Sequence, residues 1–353
     1  MNGLSRQSSL QLIALIVGVG CAVALTVAQL AAQEIDVLPN RFALREGVQL
    51  VLLVSSAVGM VFALAGRPEM PTIDRAHLVH ILPITAFAFI VRAWDLGGVR
   101  VLVDELNSII PLISMWVYDV PLLTHMNTNV IPYTWVFTTL QNGFVSVLGE
   151  SLVGLRAASV LVGGLAVPVT YALALTFTDD RRAAVVSALA LAALPVAVHY
   201  SRLAIHNTPD TLVGALALLY LARGYKHNTP TDWALGGVWL GMTHYFWEGG
   251  RLFNMAFVVL LFAWLAAQHP REAVTRWRGM ARAAVAFVVM IVPLYITWGL
   301  TGSGVETRLA DSGVGRVGFV NVLTSTLGDD ALINYAREAA NAFLVLFAIP
   351  EQS

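Results

Sequence analysis

The chain has 353 residues, of which 57% are hydrophobic and only 12% charged, against about 25% charged in a soluble domain. Twenty-one basic and 22 acidic side chains give a formal net charge of −1, which provides no basic field to hold nucleic acid. A water-soluble globular fold and a nucleic-acid-binding role are both excluded, and the single cysteine, Cys21, leaves neither a disulfide nor a zinc cluster to stabilise the fold.

A membrane-spanning helix needs about 20 mostly apolar residues, because the hydrocarbon core is ~30 Å thick and each residue rises ~1.5 Å. Ten candidates meet that test approximately: 10–31, 48–65, 77–92, 152–177, 183–199, 208–222, 233–247, 252–267, 283–300 and 331–349. The first has Gly20-Cys21, reminiscent of a lipoprotein cleavage site. Its apolar run is longer than a signal h-region and Gly18 lacks the expected aliphatic bulk, so it reads as a membrane helix. The expected fold is an all-α integral membrane protein, a polytopic bundle of about 8–10 transmembrane helices. Residues 1–75 would add extra N-terminal helices, 76–300 would form the membrane core with a long first outer loop at 93–151, and 301–353 would hold an outer loop and the final span.

Arg181, Arg182, Arg223, Lys226, Arg271, Arg276, Arg278 and Arg282 fall in alternate short loops, which the positive-inside rule assigns to the cytoplasm. The stretch 93–151, the turns 199–210 and 247–251, and the glycine-rich loop 301–330 then face outward. Leu106 to Val120 and Ile131 to Val147 are apolar but broken by polar residues, with Trp116, Tyr118, Tyr133 and Trp135 interspersed. Pieces of this kind lie in the interface plane as amphipathic helices.

The unusual polar residues cluster on that outer side. Asp104 and Glu105 are adjacent carboxylates, read either as an exposed loop pair or as a general base and metal-ligand pair. His199-Tyr200-Ser201-Arg202 ends one helix, and His206 and Asp210 open the next. Arg202 and Tyr200 serve there as headgroup anchors, or Arg202 and His206 form an anion site. His244-Tyr245-Phe246-Trp247-Glu248-Gly249-Gly250-Arg251 makes another outer turn, where Glu248 and Arg251 could simply pair at i, i+3. His244 lies about one turn inside the boundary, which requires a polar partner or cavity. His125, Asn127 and Asn129 are loop residues. The helix middles carry almost no charge, unlike an ion-coupled transporter.

The order of these features resembles the GT-C superfamily of membrane glycosyltransferases, in its protein O-mannosyltransferase and lipid A aminoarabinose transferase-like branch. Arg92 followed by Asp104-Glu105 is similar to the first outer loop with its acidic pair. Gly149-Glu-Ser-Leu-Val-Gly-Leu-Arg156, running on to Pro168, is similar to the second core helix, and Val198-His-Tyr-Ser-Arg202 to the end of the third. Gly241-Met-Thr-His-Tyr245, leading to Arg251, looks like a later helix pair. The His-Pro-Pro element of the family reads His125-Met-Asn-Thr-Asn here, and two extra helices precede the core.

The resemblance implies a glycosyltransferase that moves a sugar from a polyprenyl-phosphate carrier to an extracytoplasmic acceptor hydroxyl, in a bacterial inner membrane. The alternative is a non-catalytic membrane subunit that keeps the scaffold and binds lipid or partner proteins. By carry-over Asp104 is the base, and Glu105 supports it or joins it in holding a divalent metal where one is used. Arg202, Arg251, His206 and His244 would bind the donor phosphate, and His125, Tyr200, Tyr245 and Glu248 would contact acceptor or donor. The expected partners are the polyprenyl-phosphate sugar and membrane lipids, without nucleic acid.

Overall fold

The computed structural model describes residues 2–32, 44–68, 75–117, 122–123 and 134–301, and among these the chain forms helices and turns with no strand. The expected final span at 331–349, the loop 301–330 (apart from Thr301) and His125 lie outside the described residues. The helices are α1 (Asn2–Ala32), α2 (Glu46–Ala65), α3 (Arg75–Ala93), α4 (Leu106–Val117), α5 (Val136–Leu148), α6 (Leu152–Thr178), α7 (Arg181–Ala193), α8 (Pro195–Tyr200), α9 (Thr208–His227), α10 (Pro230–Met242), α11 (Glu248–Gln268), α12 (Pro270–Thr275) and α13 (Trp277–Thr301), with 3-10 turns at Val103–Glu105 and Thr243–Tyr245.

The nine expected spans that fall within the described residues all become helical. Five helices, α1, α2, α3, α6 and α13, are long and apolar enough to cross a bilayer unaided. The expected single span 183–199 is corrected to two helices. Proline has no N–H to give the carbonyl four residues back, and Leu194, before Pro195, is extended, so α7 ends and α8 begins. The carbonyls of Leu191 and Ala192, left over at the break, receive the Arg92 guanidinium at 3.1 and 3.2 Å. Arg92 is 1% exposed. A cationic side chain closing a helix C-terminus also complements its dipole.

Local sequence sets the other helix ends. Ser151, Asp180 and Thr229 cap α6, α7 and α10 by accepting from the amides of Gly154, Arg182 and Asp232. Asp179 and Asn228 end α6 and α9 in the left-handed region, at φ 53° and 54°, which aspartate and asparagine tolerate best after glycine.

α6 packs against α3, α5, α7 and α9, and α10 packs against α9, α13 and α2; α1 lies along α2 and α13. Small residues let these backbones approach, as membrane helices without a hydrophobic driving force require. A Cβ on Gly59 would stand 2.7 Å from the Gly18 Cα, so α1 and α2 cross at bare backbone. α4 differs in kind. Leu106, Ile110, Ile113 and Val117 form an exposed apolar stripe while Ser108, Leu112 and Met115 are buried, the arrangement of a helix lying at the membrane interface.

The basic loops gather at one end of the bundle. Lys226 donates to the Thr176 carbonyl at 3.0 Å and pairs with Asp179, and Arg276 lies 4.4 Å from the centre of the Tyr225 ring. The acidic turn 103–105 contacts Ala204 and α6 near its start, at the opposite end of α6 from Asp179.

Candidate functional site

The turn Val103–Glu105 is built around Glu105. Arg156 of α6 meets it with two arms, Nε to Oε1 at 2.8 Å and Nη2 to Oε2 at 2.6 Å, and both side chains are 0% exposed. Oε1 also accepts from the Ala204 amide at 2.9 Å and Oε2 from the Leu102 amide at 3.0 Å. Arg156 Nη1 donates to the carbonyls of Leu96 and Val99 at 2.8 and 3.0 Å. One ion pair thereby ties α6, the segment 96–105 and the turn after α8 together. Burial pushes the Glu105 carboxyl up, but the Arg156 and amide hydrogen bonds and the Arg156 charge outweigh it and hold the group below its ordinary range.

Each Glu105 oxygen already accepts two hydrogen bonds, so neither has a lone pair left for a metal. Glu105 thus has a structural role in this turn, and among the described residues no three His, Cys, Asp or Glu side chains gather to hold an ion. Asp104, its neighbour in the chain, is exposed. The buried neighbour fixes the turn, and the exposed neighbour is left free for chemistry.

The turn after α8 carries His206 and Arg202. Ser108 of α4 donates to the Ala204 carbonyl at 2.5 Å and lies 3.3 Å from His206 Nδ1. Thr138 of α5 lies 3.1 Å from His206 Nε2, and Phe137 meets the ring edge-on. Burial pushes the His206 imidazole down to about 3, so the ring is neutral. His206 is held between α4, α5 and this turn, with a hydroxyl beside each ring nitrogen. Arg202 Nη2 donates to the carbonyls of Trp94 and Asp95 beyond the end of α3. Tyr200 is exposed nearby. Arg92, Gly163, Tyr200, Ser201, Asn207 and Thr211 are among the residues around a cleft of about 190 Å3, in which Arg92 Nε and Asn207 Oδ1 have no hydrogen-bond partner.

The third cluster surrounds the turn Thr243–Tyr245. Thr134 donates to the Tyr245 carbonyl, and the Tyr245 hydroxyl donates to the Met290 carbonyl in the core. Tyr245 is thus anchored at both its carbonyl and its hydroxyl. His244 is buried, with Nδ1 2.9 Å from the Tyr295 hydroxyl and Nε2 without a partner. Arg251 donates from Nη2 to the Phe246 carbonyl at 2.9 Å, and its guanidinium lies 4.7 Å from the Trp298 ring centre, in cation–π range. α11 reaches this position because Gly250 has no side chain: a Cβ there would come 2.5 Å from the Asp210 carboxyl carbon. The side chain of Glu248 lies outside the described residues.

The structure brings Asp210, His244 and Arg251 into one cluster with Tyr295 and Trp298. It gives Arg202 a different set of neighbours, at the end of α3. Sequence reasoning missed Arg156 as the partner of Glu105, Ser108 and Thr138 as the partners of His206, and Tyr295 as the partner of His244. Arg156 left a signal: an arginine within an otherwise apolar span must find a partner.

Residues 133–298 match the family model described as dolichyl-phosphate-mannose-protein mannosyltransferase. Among solved structures, the chain is similar to the S. cerevisiae protein O-mannosyltransferase Pmt1-Pmt2 complex bound to the sugar donor, at 18% identity and a TM-score of 0.50, over 68% of this chain and 35% of that one. The chain thus spans little more than a third of the length of that yeast protein. A comparison with curated proteins found no match. The matched segment contains Arg156, Arg202 and Arg251, while α1, α2 and the acidic turn precede it. The matched family segment covers just under half of the chain, and the described helices share the membrane-helical fold of that solved structure.

Proposed function

We propose that the protein transfers a sugar from a polyprenyl-phosphate carrier to an acceptor hydroxyl on the extracytoplasmic face of a bacterial inner membrane. The observation that carries this reading is the division of labour in the acidic turn. Glu105 is locked by Arg156, Ala204 and Leu102, and Asp104 is exposed on the rigid frame they make. A general base needs a fixed position and an accessible carboxylate.

In the reaction, Asp104 takes the proton of the acceptor hydroxyl as its oxygen attacks the anomeric carbon. The bond from that carbon to the phosphate oxygen breaks, and polyprenyl phosphate leaves with the negative charge. Arg251 and His244 are assigned to that phosphate, because their buried polar atoms stand together and preorganised donors stabilise a leaving group's charge best away from water. Arg202 and His206 are not carried into the phosphate site, since the first is engaged at the end of α3 and the second is enclosed.

The family description makes mannose the first sugar to test. Purified protein is incubated with radiolabelled polyprenyl-phosphate mannose and a mixture of envelope acceptors. Transfer that Asp104→Asn abolishes supports the reading. Carrier binding without transfer from any sugar donor would replace it with the non-catalytic scaffold.

A further inference from the structure

α1 and α2 lie outside the matched family segment, yet each carries a glutamine that is 0% exposed, Gln29 and Gln49. An amide inside a membrane helix is costly unless it is hydrogen-bonded. Both are, and to the same target. Gln29 Oε1 accepts from the Leu123 amide at 2.8 Å, and Gln49 Oε1 accepts from the Leu122 amide at 2.7 Å. The two side chains are joined by Gln29 Nε2 donating to Gln49 Oε1, and Gln49 Nε2 donates to the Leu44 carbonyl.

The carbonyls of the same two residues are also engaged. Leu122 accepts from the Trp135 amide at 2.9 Å, before α5. Leu123 accepts from the Trp298 indole of α13 at 2.8 Å. All four backbone polar atoms of this two-residue turn are therefore fixed, by α1, α2, the start of α5 and α13. Trp298 is also the ring over which the Arg251 guanidinium lies, 4.7 Å from its centre.

We propose that Gln29 and Gln49 are positioning residues for donor recognition: acting through the Leu122–Leu123 turn and the Trp298 indole, they set the place of Arg251. The inference rests on Arg251 being the donor-phosphate contact. Neither glutamine touches substrate. Their effect is on how well the cation is placed before the carrier arrives.

The test is steady-state transfer from radiolabelled polyprenyl-phosphate mannose by the full-length protein in detergent. Gln29→Leu and Trp298→Phe should each raise the donor KM about five- to tenfold with kcat within twofold. The double variant should be no worse than either alone, since both act through Leu123. Gln49→Glu, whose protonated carboxyl can accept from Leu122 and donate to Leu44, should keep KM within twofold, whereas Gln49→Leu should not. Effects that multiply in the double variant, an unchanged KM in Gln29→Leu, or equal damage from Gln49→Glu and Gln49→Leu would each overturn the proposal. Should Gln29→Leu not fold, Trp298→Phe carries the test, because it keeps an aromatic ring beneath Arg251 while removing the N–H together with the second ring; an unchanged KM there overturns the relay. Arg251→Lys separates the two levels. If it leaves KM unchanged, the phosphate assignment itself fails; if it raises KM while the glutamine variants do not, only the relay fails.

Discussion

Glu105 and Arg156 face each other as a two-armed pair wholly out of contact with solvent, at 2.6 and 2.8 Å. Such a pair does not guarantee net stability, but removing one partner strands the other charge, at a cost of about 3–5 kcal/mol. Arg156→Met should therefore lower the unfolding free energy by about that amount, with a matching fall in melting temperature in detergent. An unshifted melting curve would show that the pair is not what holds the acidic turn.

Asp104 gives the opposite pattern. It is exposed, so Asp104→Asn should leave the melting temperature unchanged while turnover falls by about 10² to 10⁴, or roughly 2.7–5.4 kcal/mol in activation free energy. Measuring both on one preparation separates a lost base from a damaged frame. Near-normal turnover would remove Asp104 from the mechanism.

The orientation of the bundle can be read by thiol labelling in a Cys21→Ala background. A cysteine replacing Asp104 should react with a membrane-impermeant reagent in intact cells. One replacing Asp179, which is exposed among the basic loops, should react only after the membrane is opened. The reverse pattern would place the acidic turn in the cytoplasm and end the polyprenyl-donor reading.

His206 makes stability depend on pH. Its imidazole is pushed from 6.5 to about 3 by burial, so the unfolded chain binds a proton that the folded one refuses. Its contribution is complete above pH 6.5 and is lost between 6.5 and 3, at about 1.4 kcal/mol per pH unit. Glu105, held low in the fold, adds acid sensitivity in the same direction, below its ordinary carboxyl range. Melting temperatures taken between pH 7 and 5 should fall in the wild type and fall less in His206→Leu. Parallel curves would mean the ring is not buried neutral.

Much of the helical framework is legible in the chain itself. The apolar runs locate nine helical segments, and Ser151, Asp180 and Thr229 mark helix starts by capping chemistry. Pro195 was a visible warning that 183–199 could not stay one helix. What local pattern cannot convey is which of two adjacent carboxylates turns inward. That choice between Asp104 and Glu105 is made by Arg156, 51 residues on from Glu105, and by an amide of the 199–210 turn. The partners that enclose His206, Ser108 and Thr138, are likewise far away in the chain. Gln29 and Gln49 did leave a trace, two amides in apolar runs, but their shared target is a turn that only the folded bundle brings between them.

The brevity of α10 bears on the depth of the groups at its end. Its 13 residues extend about 20 Å, and the 3-10 turn Thr243–Tyr245 adds roughly 6 Å at ~2 Å per residue, still short of a ~30 Å hydrocarbon layer. His244 and the start of α11 therefore sit a few ångströms below the level a full-length span would reach. Neighbouring helices rather than lipid surround α10, since it is buried along most of its length against α2, α9 and α13. The shortfall is thus absorbed inside the bundle, where it sets the depth of the polar groups that follow α10.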